Sequence, residues 1–225
     1  YNQTYVHGPH SFESALIDSL MLLWENSAKT VLVGGVDEMT DNLFTITSRF
    51  KKWKKEPTTE LKELYNCSSE GSIAGEGSVF LVLEAEKKPT CYAKVINAKT
   101  FFTANQDFDS ISALNSFLKQ SNVEKDSIDF YLLGNNGGKD FDQIYGDFID
   151  RLGENRGYGY FKNLCGEYLT ASAFGLKVAA EIIKKQAVPA GLTTSIIDTK
   201  EIKNVLIYNH YRGRYHSFML LGQTD

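Results

Sequence analysis

Side chains able to do chemistry gather in three stretches of this sequence. The first is His7-Gly8-Pro9-His10-Ser11 with Ser14 beyond it. Ser11 or Ser14 becomes a nucleophile only beside a positioned base, for which His7 and His10 are the nearest candidates in sequence. Ser11 is also explained as the cap of the helix that follows. The second stretch is Lys162-Asn163-Leu164-Cys165-Gly166-Glu167. Cys165 reads as a displaced reactive thiol or as a buried, inert one, and Glu167 opposite Lys162 reads as a structural ion pair or as part of a reaction. The third is His210-Tyr211-Arg212-Gly213-Arg214-Tyr215-His216. Paired arginines bind a phosphate or carboxylate, or meet acids across a subunit contact, while His210 and His216 are catalytic or simply hydrogen-bonded in place.

The elements that position these groups begin with an apolar helix over 12–24. Phe12, Leu16, Leu20 and Leu23 keep helical spacing, and Ile17, Met21 and Leu22 fill the angles between them, so the helix is expected to be buried. The strand over 31–36 lacks alternation, as a strand covered on both faces would, and its Gly34-Gly35 pair leaves room for close approach. Residues 39–67 read as a surface excursion, with Pro57-Thr58-Thr59 opening a short helix through Leu64. Gly75-Glu76-Gly77 is a tight turn feeding a strand over 78–84. Strand and helix then alternate: strands over 90–102, 128–133, 158–164, 205–208 and 216–221, helices over 111–120, 141–152 and 169–186. This order implies sheets covered by helices, with the helices at 12–24 and 169–185 between two sheets in five layers, α-β-α-β-α.

Composition excludes several classes. The 225 residues are 42% hydrophobic and 23% charged, enough for a sizeable core. A net charge of -4 argues against a nucleic-acid surface, and the run Lys51-Lys52-Trp53-Lys54-Lys55 reads as a solvated face. No stretch is long and apolar enough for a membrane span. The cysteines Cys67, Cys91 and Cys165 show neither CxxC spacing nor a disulfide framework, so no metal is expected and a cytoplasmic, reducing compartment fits. The chain opens at Tyr1 and reaches its apolar helix almost at once, so an N-terminal portion is expected to be missing or supplied by another chain.

Four motifs in order carry a resemblance: Val33-Gly34-Gly35-Val36-Asp37-Glu38, Gly75-Glu76-Gly77 leading to Val82-Leu83-Glu84, Asp129 onward to Asp142 and Ile144, and Lys162 through Gly166 before an Ala-rich helix. Together they resemble the β-ketoacyl synthase family of the thiolase fold across nearly the whole chain. The resemblance implies an α/β, thiolase-like architecture with two buried central helices and an incomplete first half: residues 1–88 remain of the N-terminal half, and 89–225 form the C-terminal half. The family's chemistry uses a cysteine at a helix N-terminus and two histidines, with no cofactor. The resemblance places the cysteine at Pro9, the first histidine at Gly134 and the second at Glu167. Its Gly-Phe-Gly-Gly loop becomes Tyr211-Arg212-Gly213-Arg214. Residues left to line a pocket are His10, Ser11, Asn135, Lys162, Cys165, Arg212 and Gly213.

A retained fold with every reactive group replaced implies a non-condensing, chain-length-factor-like partner of an active ketosynthase in fatty acid or polyketide biosynthesis. The pattern from Thr4 to Leu16 resembles the branch found in aryl-polyene pathways. Implied partners are a ketosynthase-type subunit, in a homodimer or heterodimer formed through the strand at 31–36 or its neighbours, and an acyl carrier protein or acyl thioester. Two other readings remain: an acyltransferase or hydrolase with a rearranged site, and a stand-alone module binding a pantetheine-bearing ligand.

Overall fold

The computed structural model describes residues 1–55, 63–66, 70–105, 107–153, 156–189, 191–192 and 201–224. Pro57, Thr58, Thr59 and Cys67, singled out above, lie outside them. The elements are α1 (Ser11–Trp24), β1 (Thr30–Asp37), α2 (Asp41–Ser48), α3 (Glu63–Asn66), β2 (Gly77–Glu84), β3 (Lys94–Phe102), α4 (Ser110–Gln120), β4 (Phe130–Leu133), α5 (Lys139–Leu152), β5 (Gly157–Tyr160), α6 (Lys162–Cys165), α7 (Ala171–Lys185), β6 (Asn204–Tyr211) and β7 (Tyr215–Gly222). Among the described residues no helix is long and apolar enough to cross a membrane.

The main sheet has five strands in the order β3-β7-β6-β4-β5. β4 runs parallel to β5 and β6, and β7 runs antiparallel to β6 and β3. β4 is apolar throughout, as are β6 over 205–208 and β7 over 218–221, because both faces are covered there. Phe130 and Leu132 of β4, with Val205 and Ile207 of β6, pack toward α1 and α7, whereas Tyr131, Leu133, Leu206 and Tyr208 pack toward α4 and α5. A second sheet, the antiparallel pair β1-β2, lies across α1 and α7. The Gly34-Gly35-Val36-Asp37 motif has a physical reason here. A Cβ on Gly35 would stand 2.7 Å from that of Thr170, and Asp37 Oδ2 accepts from the Thr170 amide at 2.7 Å and its hydroxyl at 2.6 Å, so β1 caps the start of α7.

Two expectations are corrected. β1 is covered on one face only: Val33 and Gly35 point inward, while Leu32 (66%) and Val36 (60%) are exposed, as are Phe80 (60%) and Val82 (63%) on β2. Of the five layers expected, the described residues make four, α4/α5, sheet, α1/α7, sheet, and among them the outer face of β1-β2 is exposed. Met21 and Trp24 of α1, expected to be buried with the rest of that helix, are exposed as well. The strand read over 158–164 ends at Tyr160, after which Lys162–Cys165 turn into α6. The described part of 39–67 is largely exposed, as it reads, with a local order of its own. Thr40 caps α2 through its side chain, and Trp53 returns to form a parallel bridge with Ser72.

Candidate functional site

The loop leaving β4, Gly134-Asn135-Asn136-Gly137-Gly138, is held by Asp142 in the first turn of α5. That carboxylate accepts from the amides of Asn136 (3.0 Å) and Gly137 (2.8 Å). Burial pushes it up to about 6, against the pull of those amides. The tightened loop aims Asn136: its Oδ1 accepts from the Gly138 amide, and its Nδ2 donates to Glu167 Oε2 at 2.6 Å. From the other side Lys162 Nζ donates to both Glu167 oxygens, at 2.8 and 3.1 Å, with both side chains almost fully buried. The backbone of Glu167 is pinned as well, its amide donating to Ile73 O and its carbonyl accepting from the Gly75 amide. A Cβ on Gly75 would lie 2.2 Å from Cys165 O, so the glycine turn lets two chain segments touch there.

Gly134 sits where β4 meets β6, its amide donating to Tyr208 O. A Cβ would stand 2.3 Å from Asn209 Oδ1 and 2.7 Å from the Tyr145 hydroxyl, so the position has no room for a side chain. Asn209 is paired in register with Ser217 of β7, and Ser217 donates at 2.9 Å to Glu13 Oε1 in the first turn of α1. Glu13 is wholly buried, which raises its carboxyl pKa, while Lys162 nearby pulls the other way. The entrance of α1, Gly134 and the Lys162–Glu167 pair are thus linked through one buried polar cluster.

The other singled-out residues separate. Pro9 lies in a single 3-10 turn, Gly8–His10. Ser11 is not the helix cap: His10 occupies that position, and the Ser11 hydroxyl donates to Gly8 O while accepting from the His7 amide, both at 2.8 Å. His10 pairs with His216 O at 3.2 Å and meets Tyr215 edge-on. Ser14 Oγ is 3.4 Å from His7 Nδ1. Cys165 is half-buried, and the solvation it loses pushes its thiol up to about 12, the state of an inert cysteine. His210 stacks on Tyr145 at 4.2 Å and bonds Phe141 O. His216 stacks on Phe108 at 4.0 Å and bonds the Tyr208 hydroxyl. Burial pushes His210 well below its ordinary range and His216 down to about 4, so both are neutral structural groups.

Above Glu167 opens a cavity of about 230 Å³, floored by Glu167 and Asn136 and walled by Phe50, Trp53, Phe141 and Tyr211, with Lys52 and Arg212 at its side. Of the expected pocket residues it contains Arg212, and Glu167, the residue at the second histidine position, lines it as well. Lys162 lies behind Glu167, Asn135 turns its carbonyl to the Tyr65 hydroxyl, and His10, Ser11, Cys165 and Gly213 are elsewhere. Arg214 does not join Arg212; the backbone turns between them through Arg212 (φ 53°) and Gly213 (φ 62°). Asn136, Lys52, Trp53, Phe141 and Tyr211 are additions. Asn136 and Tyr211 stood inside the quoted blocks, whereas Trp53 and Lys52 were hidden in a basic run that reads as solvated. Ser72 is the hydroxyl on the wall, its Oγ directed at Lys52 O, and no imidazole lines the cavity. Among the described residues no group of His, Cys, Asp and Glu is placed to hold a metal ion. Among the described residues the arrangement can bind, and its serine hydroxyl has no imidazole beside it.

No protein-family model matches the sequence, and no curated protein matches it. Solved structures do. The ketosynthase ApeO in complex with its chain length factor ApeC from Xenorhabdus doucetiae superposes with a TM-score of 0.79 at 18% identity, covering 98% of this chain and 60% of that one. A type II polyketide synthase acyl-carrier protein in complex with its ketosynthase bound to the hexaketide gives 0.80 at 16%, covering 97% and 62%. The ishigamide ketosynthase/chain length factor gives 0.73 at 16%, covering 95% and 58%. The chain therefore has the thiolase-like α/β fold of these ketosynthases and spans less than two thirds of the length of each.

Proposed function

We propose that this chain is a member of the β-ketoacyl synthase family that has given up condensation and serves polyketide or fatty acid biosynthesis, of the aryl-polyene type, as a chain-length-factor-like companion of an active ketosynthase. The observation that carries this reading is the Lys162–Glu167–Asn136 cluster. Where the resemblance calls for an imidazole stands a carboxylate held by a buried ammonium and an amide. Gly134, the other histidine slot, lies against Asn209 and Tyr145, and Pro9 fills the cysteine slot. In this reading residues 1–88 belong to the first half of the fold and 89–225 make the second. β1 and its apolar outer face meet the ketosynthase, and an acyl carrier protein brings the chain to the pair.

Co-expression with a ketosynthase carrying Cys and two His tests it. The two should purify together, and malonyl or acyl thioester should label the partner and leave this chain unmodified. A chain that stays alone, or that itself becomes acylated, overturns the proposal. Acylation at Ser14 would favour the second reading, a rearranged acyltransferase, for which the 3.4 Å approach of His7 Nδ1 to Ser14 Oγ is the supporting contact.

A further inference from the structure

The cavity above Glu167 has a chemistry of its own, independent of whether the chain pairs with a ketosynthase. At about 230 Å³ it falls below the roughly 300–1,000 Å³ of sites for drug-sized ligands. A single ring with a short substituent is the scale of guest it admits. Its walls are aromatic and firmly set. Trp53 donates from Nε1 to Thr47 Oγ1 at 2.6 Å, and its backbone is bridged to Ser72. A Cβ on Gly71 would stand 2.8 Å from the Trp53 carbonyl carbon, so the two segments forming this wall are already in contact.

The cations are arranged against those rings. Lys52 Nζ stands 5.9 Å over the Tyr211 ring and donates to its hydroxyl at 3.1 Å, and Arg212 lies 5.9 Å over Phe141. The acids nearby are largely committed: Glu70 to Lys51 at 3.1 Å and Glu167 to Lys162. Asp140 is exposed at the rim, beside the start of α5. Lys52 is half-buried and, among the described residues, forms no ion pair with a carboxylate. A partly desolvated ammonium with no carboxylate partner among the described residues calls for an anion. Flat aromatic walls call for a flat apolar body. Glu167 at the floor disfavours a doubly charged phosphate over a singly charged carboxylate, since like charges at short range repel.

We propose that this cavity binds a small planar carboxylate, an aryl or conjugated carboxylic acid, with its carboxylate on Lys52 and Arg212 and its flat body against Trp53 and Phe141. The test uses the whole chain carrying Trp24→Phe, which leaves Trp53 as the sole tryptophan reporter. Benzoate and trans-cinnamate should quench its fluorescence saturably, and Lys52→Met should weaken binding by about tenfold or more with an unchanged melting curve. If Lys52→Met melts early, Arg212→Gln at the exposed turn takes its place with the same expected loss. The proposal is overturned by a titration that never saturates, by affinity unchanged in these variants, or by cyclohexanecarboxylate or inorganic phosphate binding as well as benzoate.

Discussion

Lys162 and Glu167 meet at 2.8 Å with their side chains only 2% and 7% exposed, in the block where the resemblance expects an imidazole. A buried pair of this kind contributes modestly as a pair and costs heavily when halved, because the survivor is left charged in a poor solvent. Lys162→Met should lower unfolding free energy by roughly 3–5 kcal/mol, and the double change Lys162→Met with Glu167→Gln should recover most of it. Urea unfolding of the two singles and the double closes the cycle. A double variant as unstable as the sum of its singles would show that the pair does not act as a unit.

Gly134 bears on whether a histidine can be put back. Gly134→Ala should destabilise by about 1–3 kcal/mol, since its Cβ meets Asn209 Oδ1 and the Tyr145 hydroxyl. Adding Asn209→Ala, which removes the nearer obstacle, should return part of that loss, as read in melting temperature.

How far the sequence predicts this site differs from residue to residue. Helices α1, α4, α5 and α7 and the strands of the main sheet follow from periodicity, and the ion pair from the spacing of Lys162 and Glu167, whereas α2 and α6 do not. The one-sided burial of β1 does not, because Val31-Leu32-Val33 reads the same whether or not its outer face is covered. Ser11 has the composition of a cap, yet the preceding 3-10 turn shifts the helix start by one residue and gives its hydroxyl another partner. Trp53 and Lys52 reach the cavity through the bridge to Ser72, a contact between segments that local pattern does not encode.

The buried histidines set an acid limit to stability. Burial takes His216 from its ordinary 6.5 down to about 4, so on acidification the unfolded chain takes up its proton first. The stability this group contributes is full above pH 6.5 and is lost as pH falls through about 4, at most about 3 kcal/mol. His10 and His210 shift in the same direction. Asp142, raised to about 6, runs oppositely, its contribution full below pH 3.8 and lost as pH rises through about 6. His216→Gln should therefore flatten the dependence of the denaturant midpoint between pH 6.5 and 4 and leave the Asp142 slope in place.

Cys165 should resist alkylation by iodoacetamide at pH 8 in the folded chain and react fully in urea, because its thiol is held up to about 12 by burial. Peptide mass spectrometry reads the site directly. Rapid modification in the folded state would reopen the case for a working thiol.

The outer face of β1-β2 offers a separable test of pairing. Leu32→Lys alters an exposed side chain, so the melting curve should move little, by about 0.5 kcal/mol or less, while co-purification with a ketosynthase should fall sharply. Equal recovery of the variant would place the contact elsewhere.

The bond from Ser217 to Glu13 joins positions 204 residues apart, and the contact of His10 with the His216 carbonyl spans 206. During synthesis Glu13 and His10 cannot take these partners until β7 has left the ribosome. A nascent chain stalled short of β7 would leave the Glu13 carboxyl, in the first turn of α1, without the hydroxyl that holds it, an exposed defect of the kind chaperones recognise.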